Sequence, residues 1–194
     1  MTVSRRAAEL LVYEMKVTLD GSTPAIWRRI RVKNDVSLVR LHHILQATMG
    51  WGGVHHHQFI VRGRCYGRPT AEGDVQDERC VKLGQVAARA GSRLTYEYDL
   101  GDGWMHDVVV ERIVPPDPEA QYPVCLAGER ACPPEDVGGI NGYYDFLDAL
   151  QNARLAGHAS VLEWIGGHFE PDVFDLETVN RRLRRIGQRR RSSL

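Results

Sequence analysis

The sequence contains no run of about 18 apolar residues, so it predicts no membrane-spanning helix and no membrane partner. Its first stretch, MTVSRRAAELLVYEMKV, lacks the continuous apolar segment and small-residue cleavage site of a secretory signal. None of its four cysteines forms a C-x-x-C pair, so we expect ordinary thiols instead of disulfides or a zinc knuckle. These absences together predict a cytoplasmic protein.

The chain also has no net charge, but this balance hides an uneven distribution. After Glu177 there are seven arginines and no acid, which leaves 18 basic against 25 acidic residues before them. The sequence therefore predicts an acidic body with a basic tail. Such a tail can contact nucleic-acid phosphates, pack on the acidic body or stay solvated. The arginines that we single out for nucleic-acid contact are Arg181, Arg184, Arg185, Arg189 and Arg190.

The pattern of elements predicts an α+β fold: an antiparallel sheet of hairpins with one inserted helix, followed by C-terminal helices that pack on the sheet. We expect a flexible leader over 1–9, a single domain over 10–186 and the basic tail over 187–194. Loosely alternating apolar residues predict strands, and apolar residues at helical spacing predict helices. The predicted hairpins are 10–19 with 26–32 and 93–100 with 104–114, the inserted helix runs from Leu38 to Met49 between Ser37 and Gly50, and residues 115–142 form a long ordered loop.

The histidines offer the first candidate site. If HHHQF is a strand, His55 and His57 point to the same face, so this H-x-H pair can supply two ligands to one metal ion. His106, or a carboxylate such as Asp102, would complete a mixed nitrogen and oxygen site that stays open to water. The structural alternative is that these histidines line a polar sheet face or hydrogen-bond the long loop.

The stretch DLGDGWMH offers the second candidate. Asp99 and Asp102 are typical of a turn, because an aspartate side chain accepts hydrogen bonds from nearby backbone amides. In the functional alternative Asp102 and His106 line a cleft as acid and base, and in the structural one Trp104 is simply a core residue.

The stretch CPPEDVGGING offers the third candidate. Its prolines stiffen the chain, Gly138 and Gly139 permit a close backbone approach, and Glu135 and Asp136 can cap the next helix or face a cation. The G-G-x-x-G spacing before a helix also suggests phosphate binding at a helix N-terminus, but a P-loop lysine and preceding strand are missing.

These stretches, taken in order, resemble the plasmid pRiA ORF-three-like family, whose members also carry the label transposon passenger TnpR family protein. The resemblance runs from about residue 12 to residue 180 and is carried by VYEMKVTLDGSTPAIWRRIRV, LVRLHHILQATMGW, HHHQF, YEYDLGDGWMHDVVVE, CLAGERACPPEDVGGINGYYDFL and WIGGHFEPDVFDLETVN. It implies a compact α+β domain from bacteria or mobile elements and supplies no activity. Combined with the motifs above, it gives a candidate groove lined by His42, Gln46, Trp51, His55, His57, Phe59, Asp99, Asp102, Trp104, His106, Glu135, Asp136, Gly138 and Gly139.

The leading functional hypothesis is a non-catalytic binding or interaction domain for an unidentified protein or small molecule. The first alternative is a metal-dependent hydrolase, in which a divalent ion held by His55, His57 and His106 with Asp102 or Asp136 would activate water. The second is a DNA-associated accessory protein that acts through the arginine tail. A serine resolvase is excluded, because Ser4 stands in a charged leader without the supporting arginines and helix-turn-helix that such an enzyme needs.

Overall fold

The computed structural model describes residues 9–69, 73–155 and 157–188, and the described part holds eight strands and five helices. This arrangement confirms the predicted α+β class. The strands are β1 (Val12–Leu19), β2 (Trp27–Lys33), β3 (His57–Val61), β4 (Arg64–Gly67), β5 (Val75–Asp77), β6 (Arg93–Tyr98), β7 (Trp104–Val114) and β8 (Val124–Glu129). The helices are α1 (Leu38–Met49), α2 (Leu83–Val86), α3 (Gly139–Gln151), α4 (His158–Ile165) and α5 (Leu176–Gln188).

All eight strands belong to one sheet with the order β5-β4-β3-β6-β7-β1-β2-β8. Neighbouring strands are antiparallel except β4 and β5, which run parallel. Both predicted hairpins are present, since β1 pairs with β2 and β6 pairs with β7. Because β3 and β6 pair antiparallel, the end of β6 lies beside the beginning of β3. The candidate site forms at this end of the two strands.

The sheet has one apolar face and one polar face, as alternation along its strands requires. On β7 the buried residues Trp104, His106, Val108 and Val110 alternate with partly exposed ones. The polar face carries ion pairs between strands, for example Arg29 to Glu111 at 2.6 Å and Arg31 to Glu14 at 2.9 Å.

Helix α1 packs on the apolar face and has the bounds that the sequence predicts. The Ser37 hydroxyl accepts a hydrogen bond from the Arg40 amide at the N-terminus, and Gly50 ends the helix in the left-handed conformation with φ of 112°. Leu41, Ile44 and Leu45 are fully buried in the core. Helix α5 packs against α1 and β8, which confirms that C-terminal helices cover the sheet.

The long loop predicted over 115–142 is interrupted by structure. Its middle forms β8, which pairs with β2 at the sheet edge, and α3 already begins at Gly139. The buried Arg28 guanidinium fixes this edge, since it donates to the carbonyl oxygens of Glu129 and Arg130 at 2.7 and 2.8 Å. The contact that holds the end of β8 comes from Arg28 on β2, and β8 itself has no alternating apolar pattern. Periodicity alone therefore misses this strand.

In the described ranges no helix combines the length and the apolar character that a bilayer crossing requires.

Candidate metal centre

Three segments that are distant in the sequence meet at one end of the sheet and form a groove: 51–57, which leads into β3, the β6–β7 turn 99–103, and the loop 133–139, which leads into α3. The Asp99 amide donates to the His56 carbonyl at 2.8 Å. Between the first segment and the loop, the Trp51 indole donates to the Pro133 carbonyl at 2.9 Å. The Gly138 amide donates to the Asp102 carboxylate at 3.1 Å, which docks the loop on the turn. The structure thus brings together the three stretches that the sequence singles out.

A group of three potential ligands lies in this groove: His55, Asp99 and Asp136, called the cation group below. Their ligand atoms all lie within 4.8 Å of one another. The Nε2 atom of His55 is 3.0 Å from an Asp136 oxygen and 3.7 Å from an Asp99 oxygen. This nitrogen is buried, yet it has no partner with hydrogen-bond geometry among the described residues. This nitrogen therefore lies close to both carboxylates but is hydrogen-bonded to neither.

The two carboxylate oxygens of Asp99 make different contacts. Its Oδ1 atom accepts a hydrogen bond from the Gly101 amide at 3.0 Å and so builds the turn, in which Asp99 has a positive φ of 53°. Its Oδ2 atom is the one that faces His55. Asp102, in contrast, binds the Gly138 amide and does not belong to the cation group.

Glu135 lies beside the cation group and is held in place by two donors. Its carboxylate accepts hydrogen bonds from the Tyr98 hydroxyl at 3.1 Å and from the Gly52 amide at 2.7 Å. One of its oxygens is 3.8 Å from His55 Nε2. Burial, reinforced by the Glu135 charge, raises the pKa of Tyr98 to about 12, so this phenol keeps its proton and remains a donor.

His57 takes part in a separate, buried network. Strand β3 begins only at His57, so His55 precedes the strand, and the shared face expected for an H-x-H pair on a strand does not arise. The His57 Nε2 atom lies 2.8 Å from a Glu78 carboxylate oxygen, and its ring stacks on His42 with centroids 3.5 Å apart.

His42 and Gln46 continue that network into the core. The Tyr96 hydroxyl lies 2.8 Å from His42 Nδ1 and accepts a hydrogen bond from the Gln46 amide at 2.9 Å. Burial lowers the pKa of the His42 imidazole to about 3, so it is neutral at physiological pH. Phe59 packs on the Tyr96 ring and is fully buried.

His106 is a core residue under the groove. Its Nδ1 atom lies 3.1 Å from the carbonyl oxygens of Tyr96 and Trp104, and its Nε2 atom is buried without a partner among the described residues. Burial lowers its pKa to about 4. Trp104 is also fully buried, next to Trp51. The structure therefore does not bring His55, His57 and His106 together as ligands of one ion.

Three of the predicted nucleic-acid contacts lie on α5. Arg181, Arg184 and Arg185 are exposed there, and Arg181 donates to the Thr178 hydroxyl at 2.8 Å. Arg189 and Arg190 lie outside the described residues.

Sequence reasoning missed Tyr96, Tyr98 and Glu78, which anchor the two networks. The alternation in RLTYEY is the available signal for the tyrosines, because it places both on the apolar face of β6. Glu78 follows the short strand β5 in a polar, irregular stretch and carries no comparable signal.

An antiparallel sheet with one inserted helix, and a groove lined by histidine and carboxylate side chains at its end, define a small α+β domain. The chain belongs to the plasmid pRiA4b ORF-3-like protein family, whose model matches residues 11–178. The plasmid in the family's description agrees with the predicted association with mobile elements.

Two relatives support this assignment. The chain is 39% identical over 158 residues to the uncharacterized protein y4hQ of Sinorhizobium fredii (strain NBRC 101917 / NGR234), covering 80% of this chain and 81% of the relative. It is also similar to the crystal structure of a protein of unknown function from Methanosarcina mazei Go1, with 35% identity and a TM-score of 0.77 over 87% of this chain and 97% of that one. Neither the family nor these relatives bring an established activity with them.

Proposed function

We propose that this protein is a ligand-binding domain that holds one divalent cation on His55, Asp99 and Asp136. The observation that carries the proposal is the buried His55 Nε2 atom, which faces two carboxylates without a hydrogen-bond partner among the described residues. A buried polar atom without a partner costs free energy, and a metal ion would compensate that cost. One imidazole and two carboxylates suit Zn²⁺, Mn²⁺ or Fe²⁺ better than the all-oxygen preference of Mg²⁺.

The surroundings of the cation group support the binding of a further ligand. Three protein ligands leave coordination positions open on a divalent ion. The Asp136 side chain is 67% exposed, so this side of the cation group is open to solvent. Two exposed apolar side chains, Val54 and Leu100, flank the group in the sequence at 76% and 54% exposure. A ligand that donates an oxygen to the ion and packs an apolar part on this rim would use both features.

A metal-dependent hydrolase is the second candidate function. The specific observation in its favour is Glu135, a carboxylate beside the cation group that hydrogen bonds hold in a fixed position. A divalent ion lowers the pKa of bound water, and a neighbouring carboxylate can accept the proton that this water loses. This candidate needs turnover of a substrate in addition to metal binding.

The proposed location is the cytoplasm. All four cysteines of the chain are free thiols, and a reducing compartment keeps them so.

Elemental analysis of untagged protein tests the cation site, since a histidine tag would bind metal itself. We expect near-stoichiometric metal in the wild type. In His55→Ala and Asp136→Asn the metal affinity should fall by more than the roughly 10–100-fold loss that is typical when a residue that only supports a metal ligand is removed. His168→Ala is the matched control, because this side chain is 76% exposed and far from the groove in the sequence.

Two results would contradict the proposal: metal-free wild type after dialysis against Zn²⁺, Mn²⁺ and Fe²⁺, or unchanged metal content in His55→Ala. Loss of metal in His57→Ala with retention in His55→Ala would instead favour the ligand set that the sequence predicts. Hydrolysis of ester or phosphodiester substrates that depends on the metal and on Glu135 would favour the hydrolase over the binding domain.

A further inference from the structure

A pocket of about 500 Å³ opens at the end of the sheet opposite to the groove. It is bounded by the turn after β3, the segment after α2 and the beginning of β6. The groove lies at the other end of β6, next to Asp99. Asp99 is six residue steps from Arg93 along the extended chain, which corresponds to roughly 20 Å. The pocket is therefore a separate site that does not share the cation group.

Three arginines are among the residues that line this pocket: Arg62, Arg89 and Arg93. Arg93 forms an ion pair with Asp107, which also lines the pocket. The side chains of Arg62 and Arg89 have no ion pair or hydrogen bond to any residue that the structure describes. Two positive charges in the pocket are therefore not neutralised by the described part of the chain, and an anion would neutralise them.

The remaining wall is mixed in character. Its apolar part comes from the partly exposed side chains of Ile60 and Val86, and its polar part includes Ser92 and Thr95. Pockets of about 300–1,000 Å³ with an apolar wall and a few polar groups are typical small-molecule sites. Guanidinium groups bind phosphate oxygens in pairs and also stack on planar rings. Arginines beside apolar side chains therefore favour a ligand that has a planar apolar body and a phosphate group.

Arg62 occupies a position that the backbone disfavours for it. It forms, with Gly63, the two-residue turn between β3 and β4, and both residues have positive φ, 51° and 76°. Such turns favour Asn-Gly, because a residue with a longer side chain is strained in the left-handed region. Arg62 at this disfavoured position lines the pocket, which supports a function there.

We propose that this pocket binds a small organic phosphate with a planar apolar body through Arg62 and Arg89. The test is titration calorimetry of the full chain with AMP, adenosine and inorganic phosphate, in EDTA. We expect saturable AMP binding, with adenosine and phosphate each binding more weakly than AMP. Arg62→Asn and Arg89→Gln should each weaken AMP binding about tenfold, the loss of one charge-assisted hydrogen bond. Since Asn suits the turn, Arg62→Asn should keep or raise the melting temperature, which separates a binding defect from a folding defect.

Arg184→Gln is the matched control, because Arg184 is exposed on α5 outside the pocket, and it should bind AMP like the wild type. His55→Ala should also bind AMP normally, so failure of the cation site and failure of this pocket give different results. The proposal is overturned by absent AMP saturation, by adenosine binding as tightly as AMP, or by an equal loss in Arg184→Gln. Inorganic phosphate binding as tightly as AMP would overturn the part assigned to the apolar wall.

Discussion

At the scale of single residues, the same side chain serves different purposes according to its burial. His55 is partly exposed and faces carboxylates, whereas His106 is completely buried and contacts backbone carbonyls. Desolvation keeps a core imidazole neutral when it has no carboxylate partner. The burial of such a histidine therefore affects the stability of the fold more than the reactivity of the site.

The buried histidines make stability depend on pH. Burial lowers the pKa of His106 from 6.5 to about 4, so between these values the unfolded chain binds a proton that the folded chain does not. The free energy of unfolding therefore falls with falling pH in this window, by up to about 1.4 kcal/mol per pH unit from this group. Denaturant titrations at pH 7 to 4 should show a shallower decline for His106→Gln than for the wild type. The exposed His168→Gln should keep the wild-type slope, and an equal slope in all three proteins would contradict the assignment.

At the scale of elements, the fit between the loop 133–139 and the turn 99–103 depends on a glycine. Gly139 has a φ of 70°, and a Cβ atom there would lie 2.4 Å from the Asp102 carbonyl oxygen. This carbonyl is backbone, so it cannot move aside without moving the turn that carries Asp99.

We expect Gly139→Ala to destabilise the fold by about 2–4 kcal/mol, combining a strained φ with a displaced loop. It should also weaken metal binding, since Asp136 moves with the loop. Gly157→Ala is the control, because Gly157 has a φ of −83° and its Cβ would meet nothing within 4 Å. Thermal unfolding and metal titration of both variants check this, and a neutral Gly139→Ala would contradict the tight fit.

Elements with strong local signals were predictable from the sequence. Helix α1 combines an N-cap serine, an apolar stripe and a terminal glycine, and its bounds are the predicted ones. Strand β8 was not predictable, because the buried Arg28 that anchors it lies about a hundred residues away in the chain. The groove segments were recognisable as motifs, but their ligand atoms were not, since the sequence does not reveal that β3 starts after His55.

At the scale of the whole molecule, the charge is separated along the chain, with the arginines concentrated in and after α5. Truncation after Glu177 would remove Leu183, a fully buried residue of α5, and would damage the core. Substitution of exposed arginines is therefore the cleaner test of the DNA-accessory hypothesis.

That hypothesis expects affinity for duplex DNA to fall steeply with salt, with a slope of log affinity against log salt that decreases by about 0.9 for each phosphate contact removed. The triple variant Arg181→Gln, Arg184→Gln, Arg185→Gln should flatten this slope relative to the wild type in fluorescence anisotropy with a labelled duplex. Arg154→Gln, at an exposed position after α3, is the control. Binding that ignores salt, or a slope that the triple variant leaves unchanged, would contradict the hypothesis.

The groove draws its cation group from three segments, around residues 55, 99 and 136, that local structure alone cannot bring together. Each ligand stands at the border of a different element, so none is in place until β3 has paired with β6 and the loop before α3 has docked. Metal uptake during refolding should consequently lag behind the appearance of secondary structure. The binding of a coloured or paramagnetic ion would then mark the last step of tertiary assembly, in which the three distant segments first come into contact.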